Sequence, residues 1–196
     1  MGVEKIDDHL YRLLLGRFQS YLWRDDGGVT LVDTGPADAA PDIAAALDEL
    51  GLGPGDVDRV VLTHFHDDHA GAAAEIREWG SISVVASAVE APVLRGEAER
   101  PAPRLAPDEV EPHSRIIGAL PPAPPVEVDV VVGDGDVLDF GGGARVIATP
   151  GHTPGSIALH LPRHGVLFTG DTVAEHLGRV LLGAFNVDPA GAAESL

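Results

Sequence analysis

Residues 64–69, within the stretch THFHDDHAG, hold three of the chain's nine histidines and two aspartates, with Phe65 as the only other residue. They follow directly on an apolar strand signal, DRVVLT at 58–63. This order restricts the fold. A buried strand must deliver a block of ligand-type side chains to its C-terminal end, where loops carry functional groups on a rigid scaffold. In an extended segment His64 and His66 project from one face, so a single metal ion can take both. Asp68 and His69 come where the chain turns into the next helix and can point towards a second metal. Phe65 and Asp67 read as spacers.

Two further strand ends carry residues of the same kind. The segment TPGHTPGS at 149–156 places His152 between two Pro-Gly turns, just after the strand signal RVIA. The segment VLFTGD at 166–171 delivers Asp171 after another apolar run. A lone loop histidine or turn aspartate says little. Three strand ends that each carry a metal-ligand type point to a metal centre.

The rest of the chain predicts a layered α/β protein. YLWRDDGGVTLVDTG reads as two strands joined by a turn at 27–28, ending at Asp33-Thr34-Gly35. Pro41 opens a helix to about Leu50, with Ile43 and Leu47 at helical spacing and Gly51 as its stop. AGAAAEIREWG predicts a short helix, ISVVA at 82–86 a strand, and VEVDVVV at 126–132 another. Residues 101–125 contain eight of the sixteen prolines and read as loop or extended polyproline segment. This insertion is either a plain surface excursion or a lid, in which case His113 reaches the site. His9, His113, His160 and His164 lack metal spacing and read most simply as surface residues, and Trp23 and Trp79 as core or interface aromatics. The terminal DPAGAAESL opens like a helix, with Asp188 as N-cap and Pro189 first. It stops without a capping glycine, so the expectation is one domain over 1–196 with the C-terminal part of the fold missing.

Composition limits the partners. With 13 basic and 31 acidic residues the net charge is −18, which disfavours nucleic acid and anionic membrane surfaces. There are no cysteines, so thiolate ligands, disulfides and a cysteine nucleophile are excluded. No stretch has a membrane helix's length of apolar residues, and the N-terminus lacks a signal peptide's pattern, so a cytoplasmic location is expected. The oligomeric state is not legible.

The combination His64-x-His66-x-Asp68-His69, glycine-flanked His152, Gly170-Asp171 and the opening hairpin with Asp33 resembles the metallo-β-lactamase-fold metallohydrolase superfamily. The likeness spans most of residues 18–187 and implies a four-layer αββα sandwich, two mixed β-sheets flanked by helices. It further implies that His64, His66 and His152 bind one zinc, that Asp68 and His69 bind a second, and that Asp171 bridges them. The family completes its second site with a histidine near the C-terminus, and nothing after Asp171 matches it. Two zinc ions are thus expected in the parent protein and an incomplete second site in this chain, with iron or manganese as other metals. The implied activity is hydrolysis of an ester, thioester, lactone or lactam-type small molecule by a metal-bound hydroxide. Asp68 would orient the attacking group or relay its proton. An iron-dependent oxidoreductase of the persulfide dioxygenase type and a degenerate, non-catalytic binding domain are the alternatives.

Overall fold

The computed structural model describes residues 2–196. Seven strands form a large sheet in which spatial order follows chain order: β1 (Gly2–Lys5), β2 (Leu10–Leu15), β3 (Phe18–Asp25), β4 (Gly28–Val32), β5 (Val57–Val61), β6 (Ser83–Ser87) and β7 (Val130–Val132). Strands β1 to β4 form an antiparallel meander, and β4 to β7 run parallel. The direction changes where the connections lengthen. Asp25 pairs with Gly28, so β3 and β4 are joined by a two-residue turn, Asp26-Gly27, one residue earlier than expected. From β4 the chain returns to β5 through α1 (Ala40–Glu49), the kind of crossover that parallel strands require.

Helix α1 buries Ala40, Ile43, Ala46 and Leu47, and it ends at Gly51, whose φ of +69° suits a residue without a Cβ. Three short helices follow on the same chain path: α2 (Asp67–Ala70), α3 (Ala73–Arg77) and α4 (Ala91–Leu94). The C-terminal halves of β4, β5 and β6 are largely apolar and buried, and alternate residues there feed two cores. Leu31, Val60 and Val84 join α1 and α3 in one cluster. Val32, Val61 and Val85 join the second cluster, against the small sheet.

The small sheet contains β8 (Val137–Leu138), β9 (Ala144–Ala148), β10 (Ile157–Leu161) and β11 (Val166–Phe168), in the order β11-β10-β9-β8. Leu138, Val146, Leu159, Leu161 and Phe168 turn inward. On the edge strands, the outward Val137 and Leu167 are 63% and 52% exposed. The large sheet is mixed, and the small sheet is antiparallel throughout.

The insertion departs from pure loop. It contains a fifth helix, α5 (Val110–Ile116), none of whose residues is buried. The strand expected over 126–132 contracts to β7, although Val126 and Val128 are still buried in alternation. After β11 come a hairpin of β12 (Val173–His176) and β13 (Arg179–Leu182) and a last helix, α6 (Pro189–Glu194), which starts at Asp188 as expected. Helix α6 packs on the loop before His152: a Cβ on Gly151 would lie 2.0 Å from the Ala192 nitrogen.

Candidate metal centre

Loops from both sheets meet at one edge of the sandwich. Leu62 N still donates to Val85 O, so the large sheet's ladder continues to the residue before Thr63. Ile157 N donates to Thr63 O at 3.0 Å, which brings the small sheet's loop 149–156 against the histidine motif. Helix α2 starts immediately afterwards, with His66 in extended conformation at its N-cap. Gly71 follows because the helix lies against residues 36–37: a Cβ there would sit 2.4 Å from Ala37 N.

Hydrogen bonding assigns the ring tautomers. Asp33, at φ +60° after β4, accepts from Thr63 N and from Thr63 Oγ1, each at 2.8 Å. The only hydroxyl proton of Thr63 is thereby committed, so at 3.0 Å its oxygen can only accept from His64 Nδ1. That leaves His64 Nε2 with a free lone pair, fully buried and without a partner. His69 Nδ1 lies 2.8 Å from Asp33 Oδ2, which turns its Nε2 to Asp171 Oδ1 at 3.1 Å and Asp68 Oδ2 at 3.8 Å. His152 Nε2 lies 2.9 Å from His66 Nδ1 and 3.6 Å from Asp171 Oδ2.

Two sets of candidate ligand atoms result: His64, His66 and His152, and His64, His69 and Asp171, each lying within 4.8 Å of one another. Five of the six residues singled out from the sequence fall within these two sets. Asp68 stands beside His69, outside the two tight sets. His176 lies on an exposed strand and belongs to neither.

Electrostatics separate the two sets. Burial, reinforced by the neighbouring rings, holds His64 well below the usual imidazole range and lowers His66 to about 3. Burial lowers His152 as well. These three rings are neutral at pH 7. Burial acts against charge on His69 too, but Asp171 and Asp33 overcome it and raise its pKa well above the ordinary value. Burial likewise opposes the charge of Asp171, but His69 and then His152 and His66 hold its carboxyl far below the usual range. Asp68 is raised, chiefly by burial. Three neutral imidazoles packed at ring distances of 4.7 Å, with a buried lone pair left over, make a donor set suited to a borderline cation such as zinc.

Two acids missed in the sequence hold this arrangement together. Glu90 is 1% exposed; its Oε2 accepts from Phe65 N at 2.8 Å, and its Oε1 accepts from Thr153 Oγ1 at 2.9 Å and Gly155 N at 2.8 Å. One carboxylate therefore ties the loop carrying His64 and His66 to the loop carrying His152. Asp67 is not a spacer. Its Oδ1 accepts from Arg100 Nη1 and from Ala123 N at 2.7 Å, pinning both ends of the Pro-rich insertion to the motif. His113, with Ile117 of the insertion, lines a cavity of about 210 Å³ that His66, His152 and Asp171 also border. A larger groove of about 740 Å³ opens on the other side of Asp68, His69 and Asp171.

Known proteins resemble this chain in sequence and in fold. The family model described as the metallo-beta-lactamase superfamily matches residues 19–196. A hydroxyacylglutathione hydrolase of Erythrobacter litoralis is 33% identical over 150 residues, 76% of this chain and 45% of that protein. The uncharacterized protein YobT of Bacillus subtilis is 29% identical over 77% of this chain and 60% of its own length. The chain spans about half the length of the curated relatives it matches. Among solved structures, the metallo-beta-lactamase MIM-1 of Novosphingobium pentaromativorans superimposes with a TM-score of 0.65 at 33% identity, over 80% of this chain and 54% of its own. A metallo-beta-lactamase of Cronobacter sakazakii, bearing a mutated HARLDQ motif, gives 0.68 at 29% identity, over 81% and 58%.

Proposed function

This chain belongs to the metallo-beta-lactamase superfamily, and on that premise we propose that it is a zinc-dependent hydrolase of small acyl compounds: esters, thioesters, lactones or lactams. The observation that carries the reading is the neutral trio His64, His66 and His152, His66 being half-buried and the other two buried, with the Nε2 of His64 lacking any partner. His64, His66 and His152 would hold one ion. His69 and Asp171 would hold a second, with Asp68 beside them. Bound there, zinc supplies Lewis acidity towards a carbonyl oxygen and lowers the pKa of water towards about 7. The similarity to hydroxyacylglutathione hydrolases and metallo-beta-lactamases supports a thioester or lactam bond as the target.

The chain's own residues supply orientation and proton handling. Asp33 holds His69 by Nδ1 and so keeps its Nε2 turned to the site. Glu90 fixes the distance between the two ligand loops. Asp68 is a buried carboxyl whose pKa is raised, which suits it to take a proton during attack and return it to the leaving group. The test is direct. The protein is stripped with EDTA, reloaded with zinc and assayed against a panel of esters, thioesters, lactones and lactams. Hydrolysis of at least one class, lost in His66→Ala, is expected. Full zinc loading without cleavage of any class would overturn the proposal.

A further inference from the structure

The cavity of about 210 Å³ beside the trihistidine cluster is walled largely by apolar side chains: Phe65 from the motif, Pro101, Pro103 and Ile117 from the insertion, and Phe185. It is smaller than the roughly 300–1,000 Å³ of sites that enclose a drug-sized molecule, so it suits one substituent rather than a whole substrate. Arg100 is the only Arg or Lys on its wall, and that guanidinium is turned to the Asp67 carboxylate and the Ala123 carbonyl. Asp67, Asp68 and Asp171 also border it, within a chain of net charge −18. Apart from a zinc held by the histidines, an anionic substituent would find no unpaired Arg or Lys on this wall.

The wall is built rather than incidental. Phe185 is held at φ +62°, a conformation that costs a bulky L-residue energy, and its N–H donates to Glu109 Oε1 at 3.1 Å. Arg104 N donates to Asn186 O at 2.8 Å, so the insertion and the 185–186 segment brace each other. The ring of Phe185 meets His113 edge-on with centroids 5.1 Å apart. Asp67 fastens the insertion's far end at Ala123. The hydrogen bonds at Phe185 and Asn186 offset that cost and, with the Asp67 contacts to Arg100 and Ala123, keep an apolar wall facing His66 and His152.

Building on the hydrolase reading, we infer that the substrate carries an uncharged, apolar acyl group of about four to eight carbons, seated in this cavity, and that Ile117 and Phe185 set its length. The acyl carbonyl then lies at the histidines, and the leaving group has the wider groove on the far side. Each methylene buried there contributes roughly a fourfold gain in kcat/KM. A substituent the wall cannot accommodate loses roughly tenfold or more.

Zinc-loaded protein is assayed with thioesters of one thiol that differ only in acyl group: acetyl, butanoyl, hexanoyl, benzoyl, lactoyl and succinyl. Expected is a rise in kcat/KM from acetyl to hexanoyl, with succinyl at least tenfold below butanoyl. Ile117→Trp should bring hexanoyl down towards acetyl, while Phe185→Ala should move the optimum to longer chains. A flat profile, or preference for lactoyl or succinyl, overturns the inference while leaving the hydrolase reading intact. Binding is read separately by methyl NMR of Ile117 during titration with hexanamide, which needs no catalysis. Shifts that saturate with hexanamide, and are absent with lactamide, support the apolar seat even if no thioester is cleaved. An Ile117 signal unmoved by hexanamide overturns it.

Discussion

His69 stands between the carboxylates of Asp33 and Asp171, and its charge distinguishes it from the other three rings of the cluster. Those carboxylates keep it protonated where burial alone would not. A ring must be neutral to bind a metal, so loading this set releases a proton. The sign follows: with a raised pKa, affinity at His69 falls as pH drops, by up to tenfold per unit. His64, His66 and His152 are already neutral and release almost none. Calorimetric zinc titrations in buffers of different ionisation enthalpy should therefore show a first ion bound with little proton release and a second with about one proton. The reverse order would contradict the assignment of the two sets. Asp33→Ala should weaken the second ion or the activity by about 10–100-fold, because the orientation of His69 is lost. The candidate ligands could be read in the sequence because they follow the ends of apolar strands. Asp67 was not, since its partners Arg100 and Ala123 come from a segment that the sequence does not place.

At the scale of elements, β4, β5, β6 and α1 were readable from their apolar periodicity, because a two-faced core demands it. Helix α5 was not, since VEPHSRI buries no residue and offers no apolar stripe to read. Glu90 escaped for a related reason: one acid after β6 looks like surface, and only folding brings Phe65, Thr153 and Gly155 to its two oxygens. Glu90→Gln keeps the size but turns a donor towards donors, leaving at least one buried N–H or O–H unpaired. A loss of about 1–3 kcal/mol is expected by denaturant unfolding, with weaker zinc binding at the trihistidine set. Unchanged stability and unchanged zinc affinity would show that the two loops hold together without it. Gly155 is tied to the same contact, since a Cβ there would lie 2.6 Å from Glu90 Oε1.

Across the whole molecule, the two sheets bring ligands from distant parts of the chain to one edge, and the insertion folds back to wall the space beside them. The resemblance read from a few motif residues extends to the family match over residues 19–196. The central claim is that His64, His66 and His152 form one tight zinc site. X-ray absorption at the zinc edge, on protein loaded with one equivalent, tests it most directly. The expected spectrum has three imidazole nitrogens at about 2.0–2.1 Å, reduced by one in His152→Ala. Carboxylate-dominated coordination, or a spectrum unchanged in His152→Ala, would contradict it.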